Sequence, residues 1–304
     1  MTRPEAVAGV ADVDLSGRTA FVTGATHGVG RETALALARL GARVLVHGRD
    51  RTAGRELANE LRGLDADPVF LRADFADPDA PSELAEAVTD RADDLDVLVN
   101  NAGAHFDGPS VVDGVERTFR VNHLAPFELT RELTGMLADE GRVVTVASAV
   151  HERADGDDLT TEAVTTTEGY DGFQAYARSK LANVLFSREL AARNPDKLVN
   201  CCHPGFVPGS ELWRDASLPV SVAMRALSVL PGFVLERVAD TTETAAATSV
   251  YLAVADDYDV TGEYFSNCRP KTPAAAARDD ALARDLWERT ESLLADPPAA
   301  AADD

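Results

Sequence analysis

The sequence predicts an α/β fold in which helices cover both faces of one parallel, doubly wound sheet of about seven strands. Two observations carry this prediction. Short apolar runs of strand length alternate with amphipathic segments of helix length between residues 19 and 265. Glycine or proline punctuates these segments, as expected where one element ends and the next begins. Such alternation requires right-handed crossovers, which place the strands in a single sheet.

The elements follow in a regular order. Strands are predicted at residues 19–23, 43–47, 69–73, 96–100, 142–147, 198–203 and 262–265. Helices are predicted at residues 29–40, 52–62, 82–92, 112–138, 174–193, 241–255 and 275–294. Gly41 and Gly141 end the first and fourth helices, and Pro78 and Pro81 precede the third. The polar stretch 151–170 is expected to be a loop on the rim of a site.

The domain organisation is simple. Residues 1–16 form a polar lead-in, residues 17–296 a single domain, and residues 297–304 a disordered tail rich in Ala, Asp and Pro. Within the domain, residues 206–240 lack a regular pattern and are expected to form a substrate lid. Their apolar segment, 218–234, fits either such a lid or an ordinary core helix.

Composition limits the choice of partners. A net charge of -22 excludes nucleic acid and anionic membrane surfaces, which bind positive protein surfaces. The chain has only three lysines, Lys180, Lys197 and Lys271, and its acidic excess suggests a protein adapted to high salt. An ordinary acidic protein from a GC-rich genome is the alternative.

Cysteine usage and the N-terminus indicate a cytoplasmic protein. The three cysteines show neither a disulfide framework nor the spacing of a metal site, so no metal is predicted. Residues 1–14 lack the profile of a signal peptide, and no apolar run is long enough to predict a membrane span.

A glycine-rich turn joins the first strand to the first helix. The turn Thr23-Gly24-Ala25-Thr26-His27-Gly28-Val29-Gly30 places free backbone N–H groups and a helix N-terminus side by side. Glycines allow a pyrophosphate to approach closely, and the helix dipole favours its negative charge. The turn therefore predicts a dinucleotide site, although a glycine-rich turn without a ligand has the same pattern.

The end of the second strand bears on which dinucleotide binds. An arginine there attracts the 2′-phosphate of NADP(H), whereas a carboxylate binds the free ribose hydroxyl of NAD(H). Arg49 favours NADP(H), and the neighbouring Asp50 leaves NAD(H) as the alternative.

A tyrosine–lysine pair supplies candidate acid–base chemistry. Tyr176 and Lys180 are four residues apart and share one face of a predicted helix. An ammonium near a phenol favours the phenolate and lowers the pKa of the phenol from its usual value of about 10. The pair could therefore exchange a proton with a carbonyl or an alcohol, but many such pairs are solvated surface residues.

Taken together, the motifs resemble those of the short-chain dehydrogenase/reductase family over residues 17–267. The shared features, in chain order, are TGATHGVG, Asp74, NNAG, Asn122, Ser148, YARSK and PG. The stretches VNHLAPFELT, YARSKLANVLF and HPGFV are similar to the branch of retinol dehydrogenase-like and WW-domain oxidoreductase-like proteins. The resemblance implies a Rossmann-type fold and hydride transfer between NADP(H) and a carbonyl/alcohol pair.

The resemblance also implies roles for individual residues. Tyr176 would be the general acid/base, with Lys180 lowering its pKa and binding the nicotinamide ribose. Ser148 would polarise the substrate oxygen, and Asn122 would support a proton relay to Lys180. The cofactor would be bound by Tyr176 and Lys180 together with Gly24, Thr26, His27, Gly28, Val29, Gly30, Arg49, Asp74, Asn101, Ala102, Gly103, Pro204, Gly205 and Val207.

Other functions remain open at this level. A non-catalytic protein that senses NADP(H) could use the same fold, as could an epimerase or dehydratase. The apolar segment 218–234 suggests a lipophilic small-molecule substrate. The helices predicted at 112–138 and 174–193 correspond to those that pair relatives into homodimers or homotetramers.

Overall fold

A computed structural model of the chain describes residues 2–205, 207 and 240–298. The strands within this part of the chain are Thr19–Val22 (β1), Arg43–Gly48 (β2), Val69–Arg72 (β3), Leu95–Asn100 (β4), Val111–Val112 (β5), Val115–Glu116 (β6), Leu137–Val146 (β7), Leu198–His203 (β8), Tyr264–Ser266 (β9) and Arg269–Pro270 (β10). The apolar segment 218–234, with most of the expected lid and the last residues of the expected tail, lies outside the described residues.

The helices in the described part are Pro4–Val7 (α1), Gly28–Arg39 (α2), Arg51–Arg62 (α3), Ala80–Thr89 (α4), Arg117–Phe119 (α5), Ala125–Leu133 (α6), Thr161–Thr165 (α7), Gly172–Arg193 (α8), Thr242–Val254 (α9) and Asp280–Ala295 (α10). A π-helical turn, Arg120–Leu124, joins α5 to α6.

The central sheet has eight strands in the order β10-β9-β8-β7-β4-β1-β2-β3. All neighbours pair in parallel except β10, which pairs antiparallel with β9. The chain runs outward from β1 to β3 on one side and from β4 to β9 on the other. The order therefore reverses between β1 and β4, where the carboxyl ends of strands leave a crevice for a ligand. The predicted doubly wound α/β sheet is confirmed.

Apolar side chains fill both faces of this sheet. On one face, α2 and α9 pack Leu35, Leu37 and Val250 against inward-facing valines of β1, β2 and β4. On the other face, α4, α6, α8 and α10 bury a second set that includes Phe127 and Trp287. A sheet covered on both faces explains why its strands are continuous apolar runs.

The helix predicted at 112–138 is wrong at both of its ends. Its first residues form the β5–β6 hairpin, because Asp113 and Gly114 adopt positive φ angles of 48° and 71° in the connecting turn. A turn of this kind favours Asp-Gly and overrides the helical pattern around it. At the other end, β7 begins at Leu137, five residues before the predicted strand start at Arg142.

The two chain ends also differ from the prediction. The lead-in contains α1, and Val10 and Leu15 are buried, so part of it belongs to the core. The C-terminal helix begins at Asp280, because the Asp279 carboxylate caps it by accepting from the N–H groups of Ala281 and Leu282.

Candidate active site

A cleft of about 570 Å³ opens at the carboxyl ends of β1 and β4, where the strand order reverses. It brings together every predicted site residue except Asn122, which lies behind its wall. The predicted residues that line it are Gly24, Thr26, His27, Gly28, Val29, Gly30, Arg49, Asp74, Asn101, Ala102, Gly103, Ser148, Tyr176, Lys180, Pro204, Gly205 and Val207. Elements that are distant in sequence thus converge on one continuous surface.

The glycine-rich turn at one end of the cleft has no room for larger side chains at its base. Gly24 has a φ of +62°, and a Cβ there would lie 2.7 Å from the Ala102 Cα. Gly28 also has a positive φ, +58°, but nothing lies within 4 Å of the position its Cβ would take. Gly28 therefore keeps open a space beside the first turn of α2.

This space fits a dinucleotide pyrophosphate. No side chain caps the N-terminus of α2, since the His27 side chain makes no capping hydrogen bond. Backbone N–H groups and the positive end of a helix dipole together form an anion site. Thr26, His27 and Val29 lie around the same space and would flank the bound group.

Two side chains hold this turn in place, and sequence analysis identified neither contact. His47, on β2, accepts a hydrogen bond from the Gly24 N–H at its Nδ1 (3.3 Å), and its Nε2 lies 3.2 Å from the Ala73 carbonyl oxygen. Complete burial lowers the pKa of His47 to about 4, so the ring remains neutral and can accept. The Asn101 amide donates to the carbonyl oxygens of Thr23 and Gly24 at 2.9 and 3.0 Å. The predicted cofactor residue Asn101 thus also fixes the turn from the opposite side.

At the far end of β2, three residues define the rim of the cleft. Arg49 is about one-third exposed, and its guanidinium lies 3.9 Å from the Asp74 carboxylate. The Asp50 carboxylate caps α3 by accepting from the N–H groups of Thr52 and Ala53 at 2.8 and 3.1 Å. Arg49 and Asp50 both line the cleft, but the Asp50 carboxylate is engaged in capping α3.

Three polar side chains meet at the opposite end of the cleft. Tyr176 and Lys180 project from one face of α8, as predicted, and are 4% and 3% exposed. The Lys180 ammonium donates to the Val146 carbonyl oxygen at 3.0 Å and lies 5.5 Å from the centroid of the Tyr176 ring. Ser148 follows β7 and lines the cleft beside Tyr176.

Burial controls the ionisation of this group. It raises the pKa of Tyr176 well above its usual range, and the nearby Ser148 hydroxyl offsets only part of that rise. Burial also lowers the pKa of Lys180 to about 8. The chain alone therefore keeps Tyr176 as a neutral phenol, which differs from the expectation that Lys180 lowers its pKa. A neutral phenol can donate its proton, which is what the reduction of a carbonyl requires.

Asn122 lies in the π-helical turn and is completely buried. Its side-chain oxygen accepts from the Ala104 N–H at 2.8 Å, while its amide donates to the Ala104 carbonyl and the Ser179 hydroxyl at 2.9 and 3.0 Å. It thereby ties the segment after Gly103 to the helix of Tyr176 and Lys180. Single π-helical turns occur frequently at functional sites.

Several lining residues were not predicted from sequence. Phe173 lies three residues before Tyr176 on α8, lines the cleft and is 46% exposed. His203, at the end of β8, accepts from the Ala149 N–H at 3.3 Å. The spacing of Phe173 from Tyr176 could have identified it, since residues three apart share a helix face.

The described residues contain neither a cluster of metal-ligating side chains nor a helix suited to crossing a membrane. The fold and the cleft define an α/β protein with a crevice suited to a dinucleotide. The family model described as short chain dehydrogenase matches residues 18–218, more than half of the chain. The protein therefore belongs to the short-chain dehydrogenase family, whose members act on CH–OH groups with NAD(P).

Individual relatives agree with this assignment. The chain is 35% identical over 298 residues to retinol dehydrogenase 14 of Mus musculus, covering 92% of this chain and 86% of the relative. It is 37% identical over 300 residues to DnrU of Streptomyces sp. (strain C5), provisionally named a daunorubicin C-13 ketoreductase, covering 97% and 99%. Among solved structures, the NADP complex of RhlG from Pseudomonas aeruginosa is similar, with a TM-score of 0.64, 25% identity and coverage of 83% and 94%. The retinol dehydrogenase-like branch is thereby confirmed.

Proposed function

We propose that the protein interconverts an aldehyde or ketone and the corresponding alcohol with NADP(H), using Tyr176 as the proton donor and acceptor. The observation that carries this proposal is that the buried Tyr176 and Lys180 and the half-buried Ser148 meet at the end of a cleft whose other end fits a pyrophosphate. A nicotinamide cofactor, when bound, supplies or accepts the hydride. The chain supplies orientation and the proton.

Ser148 and Tyr176 have different roles toward the substrate oxygen. The Ser148 Oγ accepts from the Val150 N–H at 3.3 Å, which orients the hydroxyl while leaving its proton available to a substrate oxygen. Such a donor stabilises negative charge as it develops on that oxygen. Tyr176, held neutral by burial, then gives its proton to the same oxygen. Asn122 supports this arrangement by holding α8 against the segment after Gly103.

Lys180 keeps a positive charge close to the phenol. Although burial lowers the pKa of Lys180 to about 8, the ammonium form still predominates at pH 7. In the oxidative direction this charge would favour the phenolate that removes the alcohol proton. Its placement between α8 and the end of β7 also suits contact with a nicotinamide ribose.

Preference for NADP(H) over NAD(H) is supported by the residues at the end of β2. A carboxylate at position 48 is disfavoured, since a Cβ on Gly48 would meet the Thr26 side chain. Asp50, the alternative acidic ligand, is occupied in capping α3. Arg49 lines the cleft at this end, and its guanidinium suits a phosphate.

The substrate is proposed to be a lipophilic carbonyl or alcohol. Two relatives carry names that refer to retinol and to a C-13 ketone of daunorubicin. The exposed Phe173 ring and Val150 give the outer cleft an apolar wall next to Ser148. We also propose a cytoplasmic protein suited to high salt, because screening would relieve the self-repulsion of a -22 charge.

The decisive experiment compares wild type with Tyr176→Phe in NADPH oxidation against a panel of aldehydes and ketones in high KCl. The variant removes one hydroxyl and keeps the ring, so NADPH binding should be unchanged while kcat falls about 10²- to 10⁴-fold. Unchanged turnover would refute the role of Tyr176. NADPH binding without turnover by wild type on any substrate would instead favour a protein that senses NADP(H).

A further inference from the structure

The turn that carries Ser148 is held by a buried histidine. His151 is completely buried, and its Nε2 accepts a hydrogen bond from the Ala274 N–H at 3.1 Å. A ring nitrogen that accepts carries no proton, so in the neutral ring Nδ1 bears the N–H. That N–H donates to the carbonyl oxygen of Ser148 at 2.7 Å. Both ring nitrogens thus form hydrogen bonds, and Nδ1 binds the backbone carbonyl of Ser148, the residue whose hydroxyl is the proposed oxyanion donor.

A second ring holds the other side of the same turn. The Ala149 N–H donates to His203 Nδ1 at 3.3 Å, and the Ala147 N–H donates to the Cys202 carbonyl at 2.8 Å. The backbone is therefore fixed before and after Ser148. Of these contacts, only that of His151 reaches beyond β8 to the segment that follows β10.

Another buried histidine provides a comparison. His123 is also nearly inaccessible, but its Nε2 pairs with the Thr290 hydroxyl of α10, and its ring packs among Phe119, Phe127 and Phe186. Its contacts stabilise the packing of helices and involve no residue that lines the cleft. His151 is as deeply buried as His123, but its hydrogen bond reaches Ser148, a residue that lines the cleft.

We propose that His151 is a positioning residue for Ser148, acting through the hydrogen bond from its Nδ1–H to the Ser148 carbonyl oxygen; the bond from Ala274 to Nε2 places the proton of the neutral ring on Nδ1. This inference rests on the proposed function, since it requires Ser148 to act on the substrate oxygen. The expected consequence is a defect in kcat rather than in cofactor binding, because Ser148 lies at the opposite end of the cleft from Arg49.

The connection requires a neutral ring. The charged and titratable groups around His151 are Glu152 and Lys271, which form an ion pair at 3.6 Å, the ring of Tyr264 and the neighbouring His203. Burial lowers the pKa of His151, which keeps the ring neutral at physiological pH. Protonation of Nε2 at lower pH would break the bond from Ala274.

Two substitutions separate the two bonds of His151. In His151→Asn the amide occupies the position of Nδ1 and can still donate to Ser148. In His151→Gln the amide reaches the position of Nε2 and can accept from Ala274, but the bond to Ser148 is lost. Each is made in the wild-type and the Ser148→Ala backgrounds, with His123→Gln as a control for placing an amide in the core. NADPH affinity, thermal stability and kcat are measured for all of them.

We expect His151→Gln to lower kcat about 10- to 100-fold in the wild-type background and to have no further effect on Ser148→Ala. His151→Asn should stay within about threefold of wild type, and His123→Gln should lose stability but retain kcat. Equal losses from His151→Gln in both backgrounds would overturn the inference. If His151→Gln loses NADPH binding, the test passes to His151→Asn. A fall in the kcat of His151→Asn as large as that of Ser148→Ala would then overturn the inference. Full turnover by Ser148→Ala itself would instead refute the proposed role of the serine.

Discussion

Arg49 offers the sharpest test of cofactor choice. Replacing it with glutamine removes the guanidinium that lines the cleft at the end of β2 and leaves a shorter, uncharged polar side chain. The backbone there should persist, because the Arg49 carbonyl oxygen accepts from the Arg72 Nε at 3.1 Å and Asp50 still caps α3. The substitution therefore tests the charge and hydrogen bonds of one side chain.

The expected magnitude follows from the exposure of the site. A hydrogen bond to a charged group contributes about 1.5 to 3 kcal/mol. Arg49 is about one-third exposed and faces Asp74 at 3.9 Å, so solvent and the carboxylate reduce this value. We expect a loss of about 1 to 2 kcal/mol for NADPH, which is a 5- to 30-fold weaker Kd. NADH lacks the 2′-phosphate, and its Kd should change less than about twofold.

The assay is a fluorescence titration of each variant with NADPH and NADH at two KCl concentrations. Arg51→Gln is the matched control, since it removes an exposed positive charge two residues away that does not line the cleft. Arg49→Asp should shift the preference toward NADH further than Arg49→Gln does, because a carboxylate repels the 2′-phosphate.

Two results would refute this reasoning. Equal losses of NADPH and NADH affinity in Arg49→Gln would mean that the side chain supports the shape of the cleft rather than the phosphate. An equal loss of NADPH affinity in Arg51→Gln would mean that only the general positive potential matters.

Two further predictions concern stability. Asn122→Leu should lower the free energy of unfolding by about 2 to 4 kcal/mol, because it leaves both backbone groups of the half-buried Ala104 without their partner; a loss below about 1 kcal/mol in urea denaturation would contradict this. Lys180→Met should abolish turnover yet stabilise the cofactor-free protein at pH 7 by about 1 to 2 kcal/mol, since a lysine pKa of about 8 reflects the cost of burying the ammonium. The Lys180 side chain should also make wild type gain stability between about pH 8 and 10.5, where only the unfolded chain still binds the proton. Urea denaturation of both proteins across this pH range tests the prediction, and a parallel pH dependence of the two would oppose it.

The predictions that succeeded depend on local pattern. The strands β1, β2, β4 and β8 are buried apolar runs that end in a turn or at a glycine, and their positions agree with the sequence to within one or two residues. Tyr176 and Lys180 share a helix face because their spacing matches the helical repeat. In each case the information lies within a few neighbouring residues.

The prediction that failed involved competition between two local patterns. Residues 112–138 have helical periodicity, but the Asp113-Gly114 turn favours a hairpin, and the π-helical turn at Asn122 shifts the register of the helix that follows. Which pattern prevails depends on packing against α8 and on the bonds between Asn122 and Ala104, and both lie outside any short window.

By itself, the amino-acid sequence determined the α/β order, the glycine-rich turn, the tyrosine–lysine pair and the acidic surface, because these depend on residue type and spacing. Only the tertiary structure showed that His47 orients Gly24, that Asp50 caps a helix, and that burial raises the pKa of Tyr176. It also joined His151 to Ala274, two residues separated by 123 positions. Hydrogen bonds and desolvation depend on distance in space, and residues this far apart in the chain acquire their distances only when the sheet and its helices pack.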